Sequence, residues 1–400
     1  MRTISPNPEV DRVHLTDLAQ KALDRPGLQL TDWEVQSLHG GLEWDSAVFR
    51  FQGEARDAGE TVPWSLIQKA VTPAEKASDP AGIRYWKREA LAYQSGMLHR
   101  LPGGNVTAPA CYEVHERPDG SIWLWLEDVK EDVGSPWSVD QYAVAARHLG
   151  QFNGAYLAGQ PLPSEPWITH SWLRKYVENA APMVEFVRNN PDHPIVMESY
   201  PGVALAQLLA TWDEHEAILD MLDSLPQVFC HQDAFRGNLF GRQGKTILID
   251  WGFSGIAPLG TELVALVLGS VGLYKIPVDR IEDLDQRCFE SYLQGLRDAG
   301  WSGDPKLVRM GYAITSLLRY PIGGSVGELL PTLLDQEGRS QLQTSLDKSA
   351  DEMEKTDPAL LAYYQRLIPE ALKLLGLRRL GSLLGHIAVH ALRLRARGRR

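Results

Sequence analysis

The run TILID, Thr246 to Asp250, constrains the fold of this chain more than any other feature. Four β-branched or aliphatic residues end on a carboxylate, shortly after a loop, FCHQDAFRGN, that already carries His231, Asp233 and Asn238. Such residues favour a pleated, half-buried strand, so Asp250 is expected at a strand end fixed by a buried hairpin. Asp233, in an exposed loop, suits a group that accepts a proton from an attacking hydroxyl or orients it. Asn238 and Asp250 offer the hard oxygen donors that Mg²⁺ on nucleotide phosphates prefers, and a loop with its adjacent strand end can bring the two together. His231 is expected to hold the loop by hydrogen bonds. The competing reading is a polar turn followed by a buried strand whose last residue caps a helix. Asp250-Trp251, twelve residues after Asn238 and behind a β-run, weighs against it.

The rest of the chain divides by pattern. A helix is expected around Leu15–Leu23, then strands at WEVQSLHGG and SAVFRF, a polar loop at EARDAGETV and a third strand at PWSLIQKAV. In IRYWKREALAYQSGMLHRL, Trp86, Ala90, Tyr93 and Met97 recur at helical spacing, and two more strands follow at APACYEVHE and GSIWLWLEDV. From about Val129 the pattern turns helical. SVDQYAVAARHLGQFNGAYL places Tyr142, Ala146, Leu149, Phe152 and Tyr156 on one side, and further helical patterns lie at 171–189, 203–224, 260–272, 280–298 and 305–319. The expected fold class is α+β, a small antiparallel-sheet lobe with one helix preceding a larger, mostly helical lobe. The expected boundaries are 1–128, 129–370 and a basic tail at 371–400.

Two charges upstream bear on the motif. Lys69 sits mid-strand among apolar residues and needs an anionic partner; Glu89 lies close to the apolar stripe of its helix. Each is costly to bury alone and tolerable with the other. The alternative for each is a solvated surface charge.

HQDAFRGN…ILIDWGF resembles the aminoglycoside phosphotransferase and choline kinase group, which has a protein-kinase-like fold. That resemblance, spread over roughly residues 35–320, implies an ATP-dependent (or GTP-dependent) phosphotransferase using Mg²⁺. It implies that Asp233 is the catalytic-base aspartate, that Asn238 and Asp250 bind Mg²⁺, and that the Lys69–Glu89 pair aligns Lys69 on the α/β-phosphates. WLWLEDV resembles the strand whose backbone receives adenine, with Leu126 to Val129 nearest. In SLHGGLEWDSAVFRF, Gly41 and Ser46 stand where the phosphates would be covered, Ser46 as a donor; an ordinary hairpin turn is the alternative. Arg236 either stabilises charge on the transferred group or pairs with an acid nearby. Phe235 departs from the histidine or lysine common two residues after the aspartate. Glu262 is expected as a helix-start acid. Trp167 and Trp172 either face an acceptor or pack between helices.

Composition sets the partners. The net charge of −11 includes eight Lys/Arg and no acid after Glu370, which leaves −19 on residues 1–370. An acidic body argues against general nucleic-acid binding and suits a cationic small substrate; the resemblance implies a hydroxyl of a small molecule as acceptor, with a Ser or Thr of a peptide as the second class. A nucleotide-binding pseudokinase acting as an interaction module is the reading from another class. The basic tail either meets a membrane surface or a protein, or packs on the body. Three scattered cysteines, with no apolar leader or long apolar run, point to the cytoplasm.

Overall fold

A computed structural model describes residues 10–38, 46–170, 172–201 and 204–339, with 359, 360, 362–364, 366, 367 and 370 near the C-terminus. Gly41 and the basic tail lie outside these residues. The chain separates into two compact units, Met1–Gly134 with Ser164–Thr169 and Asn238–Ser254, and Ser135–Pro163 with His170–Gly237 and Gly255–Arg400.

The first unit is built on one antiparallel sheet. Its elements are α1 (Arg12–Leu23), β1 (Gln29–Leu30), β2 (Glu34–Leu38), β3 (Ser46–Asp57), β4 (Glu60–Val71), α2 (Arg88–Gln94), β5 (Val106–Thr107), β6 (Cys111–Glu116) and β7 (Ile122–Glu127). The sheet order is β1-β3-β4-β7-β6, with β2 also on β3. Along β4 the period of two buries Trp64, Leu66, Gln68 and Ala70. Trp64 and Leu66 join Phe49, Phe51 and Trp125 in a core closed by Leu15, Leu18 and Ala19 of α1. Lys69 therefore points to the other face, in register with Val48 and Leu124.

Two expectations are corrected here. EARDAGETV is not a loop: β3 and β4 run through it in continuous register to Asp57 and Glu60. Only Ala58 and Gly59 turn the chain, both at positive φ, 48° and 89°, as a two-residue hairpin turn requires. The helix after β4 is also shorter at both ends than its apolar spacing predicts: Arg88 binds the carbonyls of Pro80, Gly82 and Ile83 and holds that segment as a loop, and Gly96 at φ 71° separates α2 from the turn that carries Met97.

The chain leaves the helical unit through β8 (Gln227–Cys230), returns to the sheet unit as β9 (Leu239–Arg242) and β10 (Lys245–Leu248), and leaves again through β11 (Gly255–Pro258), which pairs with β8. β10 also pairs with β5 in parallel.

The second unit is helical: α3 (Val139–Leu157), α4 (Trp172–Glu178), α5 (Ala181–Asn189), α6 (Pro194–Ser199), α7 (Ala204–Asp213), α8 (His215–Asp223), α9 (Glu262–Val264), α10 (Ser270–Gly272), α11 (Ile281–Asp298), α12 (Pro305–Leu317) and α13 (Leu330–Leu334). With the antiparallel sheet unit, this is the α+β class expected. Ser138 and Gln141 form a capping box that starts α3. Two stretches are π-helical, Ala265–Gly269 between α9 and α10 and Leu318–Leu329 between α12 and α13. No helix among the described residues is long and apolar enough to cross a membrane.

α3 and α11 pack backbone to backbone. A Cβ on Gly150 would stand 2.2 Å from the Tyr292 carbonyl oxygen, and one on Gly295 would stand 2.0 Å from the Arg147 carbonyl oxygen. The approach matters for the motif, since Tyr292 donates to Asn153 Oδ1 (2.6 Å) and Asn153 Nδ2 donates to the Phe229 carbonyl of β8 (2.8 Å). Gly295→Ala is expected to cost about 1–3 kcal/mol, the range for overpacking a tight contact, whereas Gly134→Ala, with nothing within 4 Å of its added Cβ, should change little. Urea unfolding of both variants measures this; equal midpoints would remove the close-approach argument.

Candidate active site

The spacing of Asn238 and Asp250 is hairpin arithmetic. In β9–β10 the partners run from Arg242↔Lys245 to Leu239↔Leu248, and Ile249 N donates to the Asn238 carbonyl (3.1 Å), adding one more rung. Gln243 and Gly244 turn the hairpin at φ 52° and 69°, the positive pair that matches strand twist. Asn238 and Asp250 thus arrive at one end of the hairpin. Asp250 leaves the ladder at φ 66°, ψ 68°, a left-handed conformation that Asp tolerates better than most residues. This turns its carboxylate away from the strand direction.

That carboxylate meets Lys69. Lys69 Nζ lies 2.7 Å from Asp250 Oδ1 and 2.6 Å from Glu89 Oε2. Glu89 Oε1 also accepts the Trp251 N–H (3.3 Å), so one glutamate of α2 holds both the lysine and the backbone after Asp250. Burial works against the Lys69 charge, but Asp250 and Glu89 outweigh it and hold the ammonium above the ordinary lysine range. Burial raises the Glu89 pKa while Lys69 pulls it back. Arg88, fully buried next to Glu89, donates to the carbonyls of Trp167 (2.9 Å) and Gly252 (2.8 Å) as well as to the loop before α2. It thereby fixes the turn that presents Asp250.

Leu126 and Val129 are buried at and after the end of β7. Asp128 between them takes a bidentate pair from Arg50 (2.9 and 3.1 Å) and a contact from Lys130 (2.5 Å). Glu127 binds Arg242 of β9 at 2.5 Å. Ser46 is the first residue of β3, paired with Val71. Asn238 and Asp250 supply one amide and one carboxylate, both hard donors. Among the described residues no group of three or more His, Cys, Asp or Glu could form a metal cage. Two such donors suit Mg²⁺ that takes its other ligands from phosphate and water, the usual arrangement for this ion.

In the second unit the loop after β8 is pinned by its backbone. His231 N and Gln232 N donate to the two oxygens of Glu262, at 2.8 and 3.1 Å. Arg319 Nη1 donates to the Gln232 carbonyl, and its Nη2 lies 3.4 Å from Asp233 Oδ1. Asp233 N donates to His231 Nδ1 (3.2 Å), and Arg236 N donates to Ser270 Oγ (3.0 Å). The Arg236 guanidinium lies 4.3 Å over the Trp137 ring. Trp172 stacks on Tyr176 at 4.7 Å and lies beneath Arg319 at 4.8 Å.

Sequence reading missed Arg88 and Arg319. Arg88 stood unremarked beside Glu89, and Arg319 lies 86 residues from Asp233 at the end of an ordinary amphipathic pattern. Glu262 does open a helical stretch, but both its oxygens serve the loop. Burial pushes its carboxyl up to about 7, against the pull of the two N–H donors. A carboxyl that binds its proton more tightly folded than unfolded gives stability that is complete below about pH 4.5 and lost as pH rises through about 7. The expected loss is about 3 kcal/mol. Urea unfolding between pH 4.5 and 8 should therefore show a decline that Glu262→Gln flattens; an equal slope in the variant would assign the decline elsewhere.

Residues 80–302, more than half of the chain, match the Phosphotransferase enzyme family. No curated protein matches the chain. Among solved structures it is similar to the amicoumacin kinase hAmiN in complex with AMP-PNP, Ca²⁺ and Ami, at 14% identity over 84% of this chain and 87% of that one, TM-score 0.47. It is similar also to the aminoglycoside phosphotransferase APH(3'')-Id of Streptomyces rimosus (18% identity, 79% and 99%, TM-score 0.42) and to a choline/ethanolamine kinase family protein of Mesorhizobium loti (16%, 94% and 99%, 0.42). At these TM-scores the likenesses add no argument to the family match. The match by itself decides the class: the chain belongs to the phosphotransferase enzyme family and is a phosphotransferase.

Proposed function

We propose that the chain moves the γ-phosphoryl group of ATP, with GTP as the alternative donor, to a hydroxyl of a small molecule such as an aminoglycoside-like compound, a sugar or an amino alcohol. The observation that carries the reading is the ammonium of Lys69 held 2.6–2.7 Å from both Glu89 and Asp250. A largely buried cation fixed by two acids is placed to bind phosphate oxygens without reorganising. Asn238 and Asp250 would hold Mg²⁺, which supplies charge neutralisation on the phosphates when bound. Leu126 to Val129 would offer backbone to the base, and Gly41 and Ser46 would cover the phosphates. Asp233 would orient the acceptor hydroxyl for in-line attack and take its proton, with Arg236 near the charge that develops. Most of the acceleration would come from positioning and charge neutralisation. Cys111, Cys230 and Cys288 are free thiols, which supports a cytoplasmic setting.

ADP release from Mg-ATP, with pooled aminoglycosides, sugars, amino alcohols and hydroxyl-bearing peptides as separate arms, tests the proposal. Wild type should show release stimulated by one small-molecule pool. Asp233→Ala should lower it by about 10²–10⁴-fold, Asp250→Asn should abolish it, and EDTA should stop it until Mg²⁺ is restored. Near-normal turnover in either variant would remove that role, and stimulation by the peptide arm alone would overturn the acceptor class.

A further inference from the structure

A side chain that orients a hydroxyl must itself be held, and Asp233 lies within a loop several of whose fixed points are backbone groups. Glu262 fixes the N–H groups of His231 and Gln232, and Ser270 fixes that of Arg236. Neither constrains the Asp233 carboxylate. Arg319 reaches both levels, with one nitrogen on the Gln232 carbonyl and another 3.4 Å from Asp233 Oδ1.

We infer that Arg319 is a positioning residue for Asp233, delivered to the loop by the π-helical stretch in which it lies. The inference rests on the reading of Asp233 as the group that orients the acceptor. Three features support it. Arg319 is buried, at 6% exposure, so its planar fork keeps one orientation rather than sampling many. It is braced from below by Trp172 at 4.8 Å and Tyr320 at 5.5 Å. Trp172 is braced in turn by Tyr176, whose ring comes so close to Gly323 that a Cβ there would stand 2.3 Å from it. Finally, the regular helix stops at Leu317, and the π-helical stretch Leu318–Leu329, with Pro321 inside, begins at the residue before Arg319. Such wider turns are rare and occur frequently at functional sites. A second π-helical stretch ends at Gly269, immediately before Ser270. Two departures from regular helix thus meet the same loop at two of its fixed points.

The arrangement implies an effect on turnover through Asp233 rather than on nucleotide binding, since Lys69, Glu89 and Asp250 belong to the other unit. Steady-state kinetics of Arg319→Met, Arg319→Lys, Asp233→Asn and the double variant Asp233→Asn/Arg319→Met test it, with thermal unfolding measured for each. Arg319→Met should lower kcat by about 10²-fold, the loss typical of a misplaced reacting group, with KM for ATP unchanged. Arg319→Lys, which keeps the cation and the bulk, should recover part of it and should fold if Arg319→Met does not. In the Asp233→Asn background, Arg319→Met should add no further loss, because residues acting as one unit are not additive. Wild-type kcat in Arg319→Met, or a double variant whose loss is the product of the single losses, would overturn the inference. Normal turnover in Asp233→Asn would instead overturn the reading of Asp233 on which it stands.

Discussion

One ammonium held between two carboxylates organises the sheet unit. Lys69 on β4, Glu89 on α2 and Asp250 after β10 come from segments far apart in sequence, and each would be unfavourable where it is without the other two. Breaking a buried pair of this kind costs about 3–5 kcal/mol, mostly because the remaining charge is left uncompensated. The sheet, the short helix and the hairpin are therefore coupled through a few atoms. The Glu89 contact to the Trp251 N–H and the Arg88 contact to the Gly252 carbonyl make the coupling directional, since both fix the turn that follows Asp250. A cation held in this way is already oriented, and an anionic ligand does not have to order it.

The helical unit solves a different problem. A loop that must present side chains cannot satisfy its backbone by a regular ladder, and here the task falls to Glu262, Arg319, Ser270 and, behind β8, Asn153. Each comes from a helix, so the loop inherits the rigidity of α3, α11 and the helical stretches after β11 and α12. The close approach at Gly150 and Gly295 belongs to the same design, because it leaves α3 and α11 little freedom to slide.

How far this was legible depended on whether the cause was local. The alternation Trp64–Leu66–Gln68–Ala70 shows which face of β4 is buried, and so places Lys69 on the opposite one. The β-run TILI and the Gln243-Gly244 turn make the hairpin, and the hairpin makes the twelve-residue spacing meaningful. The same local logic failed for EARDAGETV, whose polar residues pair across two long strands at the solvent-facing end of a hairpin. It failed again before α2, where five residues with helical apolar spacing are kept out of the helix by a buried guanidinium.

By itself, then, the sequence determined most of the longer strands and helices, the class of the fold and the chemical types gathered in the motif, because period, turn residues and side-chain chemistry act over a few neighbours. Only the tertiary structure decided that Glu262, which opens a helix, gives both its oxygens to a loop, that Arg88 fixes the turn after Asp250, and that Arg319 stands against Asp233. Those choices depend on distances between residues remote in sequence, and a buried charge reveals its partner only when the chain has closed around it.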